Sequence, residues 1–207
     1  MKRMLLELPA ELETDRLILR PYRAGDGPAY FDACQRNRDH LLPYESANPA
    51  VHVRTVEDAE VLVRYFAADW SKREAFFFGA WDKATGEWIA QVYVGPLDWA
   101  LPEFEIGFIV DVDHEGQGYM TESVRAVLDC LFNRADAHRV RLNCNETNVR
   151  SWRVAERCGF VREGHLRQTR KQVRLPDGAY SGDYIYGMLR TDYERATAAA
   201  AQNGASA

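Results

Sequence analysis

Two glycines separated by a single residue, in Glu115-Gly116-Gln117-Gly118, are the pair whose type and spacing point most directly to chemistry. Glycine reaches backbone angles closed to other residues, so a turn on Gly116 and Gly118 lets several N–H groups face one ligand. If a helix begins on that turn, its positive end adds to them, and the geometry suits a pyrophosphate. The same stretch carries two rival patterns. Asp111, Asp113, Glu115 and Glu122, with Gly116, match the ligand and glycine positions of a calcium-binding loop. Gly116 and Gly118 are also part of what a dinucleotide fold requires. No nucleophile or metal triad stands beside the glycines, and His40, His114 and His165 are isolated. The reaction therefore belongs to whatever the phosphates carry, and no metal site is expected.

The flanking periodicities choose among these patterns. Phe104, Ile106, Phe108 and Val110 alternate with Glu105, Gly107 and Ile109, which is strand period. Met120, Val124, Val127, Leu128 and Leu131 then follow helical spacing and share one face. A calcium hand needs a helix before its loop, where this chain has a strand, and Gly118 takes a position usually apolar. The dinucleotide fingerprint lacks its third glycine, since Thr121 stands there, and its strand would come mid-chain after a hairpin. A strand, a glycine turn and a helix that seats a diphosphate remain.

The rest of the chain reads as one α/β domain with a mixed, mostly antiparallel central sheet flanked by helices. Leu17-Ile18-Leu19 is a first strand. Asp26 caps a helix with Pro28 in its first turn, running to about Asn37, and Leu41-Leu42-Pro43-Tyr44 breaks it. Thr55 and Asp58 form a capping box for a second helix bearing Ala59, Leu62, Val63, Phe66 and Trp70. Phe76 to Phe78 and Glu87 to Val94 form a hairpin. After the central stretch come a strand with Val140, Leu142 and Cys144, and a short helix that Asn148 starts and Gly159 ends. A long strand from Phe160 turns at Pro176-Asp177-Gly178 and returns from Tyr180 to Leu189. The boundaries are an N-terminal extension over 1–11, the domain over 12–191, and a frayed or disordered tail over 192–207, alanine-rich from Ala196.

With 207 residues, 46% of them hydrophobic, the chain is long enough to bury a substantial core. A net charge of −5 argues against general nucleic-acid binding, which needs a basic face. Glu7 interrupts the apolar run at the start, so no signal peptide and no membrane span are expected. Cys34, Cys130, Cys144 and Cys158 have no paired spacing and read as buried free thiols, which points to a cytoplasmic location.

The central motif resembles the signature of the GNAT superfamily of N-acetyltransferases: Arg or Gln, two residues, Gly, one residue, then Gly or Ala. Here it stands as Glu115-Gly116-Gln117-Gly118-Tyr119-Met120, with Glu115 in place of a basic or amide residue and Met120 in place of a small one. Thr14-Asp15-Arg16-Leu17, Glu105-Ile106-Gly107-Phe108, Asn148-Val149-Arg150-Ser151, Gly159-Phe160 with Glu163-Gly164, and Asp183-Tyr184-Ile185-Tyr186 extend the likeness in order over about residues 12 to 190. Together they look like the branch typified by ribosomal-protein N-terminal alanine acetyltransferases.

That resemblance implies direct transfer of acetyl from acetyl-CoA to a primary amine, with no covalent enzyme intermediate. It places the coenzyme on Phe108, Ile109, Val110, Gly116, Gln117, Gly118, Tyr119, Met120, Thr121, Asn148 and Ser151. Backbone groups of residues 108–110 would hold the pantetheine arm and supply the oxyanion donor. Glu105 shares a strand face with Gly107 and Ile109 and is the candidate base, acting through water; the alternative is a sheet-surface carboxylate paired with a cation. Ser151 matches a serine suggested as proton donor to the thiolate, or is simply a first-turn helix residue. The commoner tyrosine acid falls at Ala155. Asn148 is a helix cap or a coenzyme ligand. Tyr44 stands in the loop that walls the acceptor site of relatives, and Asp183 either faces the amine or pairs with an arginine. A glutamate base that some relatives carry aligns with Arg170. The acceptor expected is a protein N-terminus. A small amine is the rival, a non-catalytic acyl-CoA sensor is the reading from another class, and homodimerisation is left open.

Overall fold

The computed structural model describes residues 2–171 and 180–204. The expected turn at Pro176-Asp177-Gly178 lies outside the described residues. Eight strands form one sheet in the order β1-β2-β3-β4-β5-β6-β8-β7. Strands β1 (Leu12–Glu13), β2 (Leu17–Pro21), β3 (Phe76–Asp82), β4 (Trp88–Asp98) and β5 (Glu103–Val110) pair antiparallel in succession. Strands β6 (Arg139–Asn145), β8 (Tyr180–Leu189) and β7 (Val161–Lys171) form the second antiparallel part. The two parts join only through a parallel pairing of Glu103, Phe104 and Glu105 with Arg139, Val140 and Arg141. Beyond Glu105 the ladder stops, and residues 106–110 face the gap between the two halves.

The strand period of β5 sorts its side chains to two cores. Phe104, Ile106, Phe108 and Val110 pack on the side of helix α3 (Tyr119–Asn133) and helix α4 (Val149–Cys158). Ile109 joins the other side, with Tyr30 and Ala33 of α1 (Gly27–Leu41) and Val63 and Phe66 of α2 (Val56–Lys72). Every apolar position expected on the face of α3 is buried. The capping box of α2 is present: Asp58 N–H donates to Thr55 Oγ1 at 3.0 Å, and Thr55 N–H donates to Asp58 Oδ2 at 2.9 Å.

Local structure alters some of these readings and adds detail to others. Helix α1 runs to Leu41 rather than Asn37. Asp26 does not cap it by side chain; its carboxylate instead takes Nη1 and Nη2 of Arg20, at 2.7 and 2.8 Å. Within residues 1–11, Leu6 is buried in the core and its carbonyl accepts from Arg73 at 3.0 and 2.9 Å. The tail expected to fray is helix α5 (Arg190–Gly204). Tyr193 stacks on Phe132 and donates to Asp129 at 2.7 Å, and the alanine run that follows has the highest helix propensity of any residue.

Candidate functional site

The turn between β5 and α3 has the backbone expected of it. Gly116 and Gly118 have φ of +75° and +86°, and α3 starts at Tyr119 directly after Gly118. An L side chain at either position would be strained. The turn is braced from outside. Glu122, in the first turn of α3, accepts from Thr14 Oγ1 at 2.5 Å and from the Arg16 backbone N–H at 3.0 Å. Asp111, wholly buried at the end of β5, accepts from Arg36 Nη2 at 2.6 Å and from Asp113 N–H at 3.0 Å. Burial pushes both carboxyls up in pKa, but these donors outweigh it and hold both below the ordinary carboxylate range.

Three cavities run end to end from this turn. The first, about 340 Å³, lies over Gly116, Gly118, Tyr119 and Thr121 and is walled by Arg150, Arg153 and Arg157 of α4. The second, about 90 Å³, shares Val110, Met120 and Arg150 with it and contains Phe108, Ile109, Asn148, Ser151 and Tyr44. The third, about 380 Å³, shares Phe108, Ile109 and Glu45 with the second and opens on the α1–α2 side of the sheet. Its floor carries Gln91, Tyr93, Glu105 and Gly107 of β4 and β5, where Tyr93 pairs with Gly107 and Gln91 with Ile109.

Most of the sequence-derived candidates therefore meet in one channel. Asn148 caps α4, its Oδ1 accepting from Ser151 N–H at 3.3 Å, while Ser151 itself lines the middle cavity. Glu105 is half-buried, with Asn143 Nδ2 donating to it at 3.4 Å. Two candidates are elsewhere. The Gln117 side chain turns back to donate to Asp113 O at 3.2 Å, and the residue lines none of the three cavities. Asp183 is buried between β6 and β7, where its Oδ2 accepts from Thr169 at 2.6 Å, so it does not face the channel.

The structure also shows what sequence reading missed. Glu115, the acidic departure in the motif, is not a bare charge: His40 Nε2 and Arg150 Nη1 each lie 2.8 Å from its carboxylate. The arginines at 150, 153 and 157 were legible as one face of a helix by their spacing. Gln91 and Tyr93 are the polar residues in the otherwise apolar run from Trp88 to Val94, and that exception was the available signal. The Tyr93 phenol is pushed up in pKa by burial and then by the nearby Glu105 charge. Donors from a helix start, cationic side chains and a paired Glu115 fit a diphosphate-bearing ligand at the first cavity. The narrow middle cavity along residues 108–110 fits an extended arm.

Comparison with known proteins agrees with this geometry. The family profile described as "Acetyltransferase (GNAT) domain" matches residues 16–161. The probable N-acetyltransferase YjcK of Bacillus subtilis is 28% identical over 185 residues, covering 89% of this chain and 99% of that protein. The [ribosomal protein uS5]-alanine N-acetyltransferase of Escherichia coli is 23% identical, covering 88% and 92%. Mycobacterium smegmatis RimJ, solved in complex with CoA-disulfide, superposes with a TM-score of 0.77 at 22% identity, covering 95% and 96%.

Proposed function

We propose, for a chain that belongs to the GNAT acetyltransferase family, that the acceptor is a protein N-terminal α-amine. The chain is an N-acetyltransferase that uses acetyl-CoA. The observation that carries the finer reading is the meeting of two cavities at Phe108 and Ile109. One is narrow and lies along the coenzyme side; the other is wide, open and floored by Glu105. The alanine N-acetyltransferase of Escherichia coli, acting on a ribosomal protein, supports the same acceptor.

In this reading the coenzyme supplies an acetyl thioester at the junction. The amides opening from Gly116 to Thr121, with Arg153 and Arg157, hold the phosphates. Backbone groups of residues 108–110, which have no ladder partner on the β6 side, hold the arm and supply the oxyanion donor. Glu105 takes the proton of the amine through water, and Ser151 returns one to the departing thiolate. Asn148 orders the turn that presents Ser151, and Tyr44 walls the junction. An α-amino group with a pKa near 8 is roughly a tenth neutral at pH 7, whereas a lysine near 10.4 is neutral only about one part in two thousand. A half-buried carboxylate acting through water suits the first.

The test is thiol release from acetyl-CoA with peptides bearing a free N-terminus, the same peptides N-blocked, and a panel of polyamines and aminoglycosides. Release with the free peptides alone is expected. A Glu105→Gln variant loses about a hundredfold in kcat at pH 7 and less at pH 9, where the amine is already neutral. Turnover confined to the small amines would move the acceptor to that class. Saturable coenzyme binding with no turnover on anything would make the domain a sensor.

A further inference from the structure

Gln91 is 4% exposed, yet it sits on the floor of the acceptor cavity, directly across from Ile109 in the β4–β5 ladder. Its amide is oriented by a buried relay. Trp88 Nε1 donates to the Tyr22 hydroxyl at 2.8 Å, and the Tyr22 hydroxyl reaches Gln91 Oε1 at 3.0 Å. One direction satisfies every hydrogen of that relay. An indole N–H only donates, so the phenol oxygen accepts from Trp88, and its own hydrogen goes to Gln91, its one acceptor among the described residues. The Gln91 atom facing Tyr22 must then be the carbonyl oxygen, and the NH2 group turns the other way. Nε2 donates to none of the described residues and is not sealed in the protein interior; it opens on the cavity.

With its other side held by Tyr22, the Gln91 amide presents this donor to whatever enters the acceptor cavity. Because the exposed end is a donor, the partner is an acceptor atom, which an amine nitrogen being deprotonated for attack does not offer as a lasting ligand. We propose that Gln91 Nε2 binds the first carbonyl oxygen of the acceptor, so that the enzyme selects amines carrying an amide carbonyl on the adjacent carbon. This rests on the N-terminal reading above and narrows it. Tyr22 and Trp88 act through Gln91 and are positioning residues. An alkylamine or polyamine has no acceptor atom to offer that N–H and forgoes the hydrogen bond. Leaving such a donor empty is costly to the substrate that lacks its partner.

The experiment compares a short peptide with a free N-terminal alanine and the same peptide with its first peptide bond replaced by a trans-alkene, which keeps the geometry but removes the carbonyl oxygen and the amide N–H. The readout is the ratio of kcat/KM for the two, so differences in amine basicity cancel between variants. The wild-type ratio is expected to favour the amide, and Gln91→Leu to lower that ratio about tenfold. Gln91→Glu keeps the shape and the bond to Tyr22 but sets an oxygen against the carbonyl, and it too should collapse the ratio. It decides the matter if Gln91→Leu fails to fold, with coenzyme binding and thermal unfolding as the folding checks. Tyr22→Phe, which frees the amide to turn over, should lower the ratio part of the way. A ratio unchanged in Gln91→Leu and Gln91→Glu overturns the proposal, as do equal losses on both peptides, which would mark an oxyanion or packing role. Wild-type turnover of both peptides at equal rates sinks this proposal and leaves the N-terminal reading standing. Turnover of neither peptide beside turnover of a polyamine sinks both.

Discussion

Arg16 grips Glu122 from the far side of the glycine turn: its Nη2 lies 2.6 Å from Glu122 Oε2 and its Nε donates to the same oxygen at 2.8 Å. The remaining nitrogen, Nη1, donates to Gln117 O at 3.1 Å, and the guanidinium lies 4.0 Å from the centre of the Tyr119 ring. One planar cation thus ties the start of β2 to both the turn and the first residues of α3. A lysine has no fork to do this. Arg16→Lys is expected to weaken coenzyme A binding about fivefold by calorimetry while keeping the charge, and Glu122→Gln to cost about 2 kcal/mol in urea unfolding. Coenzyme affinity at the wild-type value in both variants would remove the brace from the account.

Acid should release the brace on the other side of the loop. Burial alone would raise the Asp111 carboxyl, but Arg36, the Asp113 amide and Asn37 more than compensate, and its folded pKa is depressed. A depressed carboxylate adds stability that is fully present above its unfolded pKa, about 3.9, and is lost as pH falls through the folded value. Asp111→Asn is therefore expected to cost about 2 kcal/mol at pH 7, with the gap to wild type closing below about pH 4. Urea midpoints at a series of pH values measure this. A gap that stayed constant down to pH 3 would mean that the charge contributes nothing.

The elements were legible where one period ran long enough. The strand at 103–110 and the helix after Gly118 announced themselves by alternation and by helical spacing, and the capping box at Thr55 fixed the start of α2. The site was legible only in part, because a single strand's sequence shows which residues share a face but not which strand lies beside it. Glu105 was assigned a face; that Gln91 and Tyr93 lie on the same face follows only from the β4–β5 register. The place of Asp183, off the three cavities, was hidden for the same reason, since the pairing of β8 between β6 and β7 buries it. Ionic partners distant in sequence, such as Arg16 with Glu122 or Arg150 with Glu115, leave no local mark at all. Composition suggested fraying for the alanine-rich tail; the stacking of Tyr193 on Phe132, which holds the start of α5, is a long-range contact that composition does not show.

Gly95 keeps the acceptor cavity open by being small. Tyr93 lies along β4 over it, and a Cβ at Gly95 would overlap the phenol oxygen and come within 2.8 Å of ring atom Cζ. Because the obstacle is the end of a flexible side chain, Gly95→Ala should fold. The phenol would swing toward the cavity floor beside Glu105, which pairs in register with Gly95. The expected result is a KM for the peptide acceptor raised about tenfold, with the KM for acetyl-CoA unchanged. An equal rise in both would place Tyr93 away from the acceptor.

Glu115 sets the sharpest electrostatic test, because it puts a carboxylate beside the amides that receive the phosphates. Its neighbours hold it in check: Arg150 and His40 both lie within 2.8 Å. Removing Arg150 should expose that charge to the coenzyme phosphates, and like charges a few ångströms apart in a partly dry cleft repel more strongly than in water. Arg150→Ala is expected to weaken coenzyme A binding about tenfold, and less at high salt, where exposed charges are screened. The double variant Glu115→Gln with Arg150→Ala separates two causes. If Arg150 acts by neutralising Glu115, deleting both restores most of the affinity. If Arg150 instead binds a phosphate directly, the double variant stays as weak as Arg150→Ala, and the paired departure from the family motif has no compensating role.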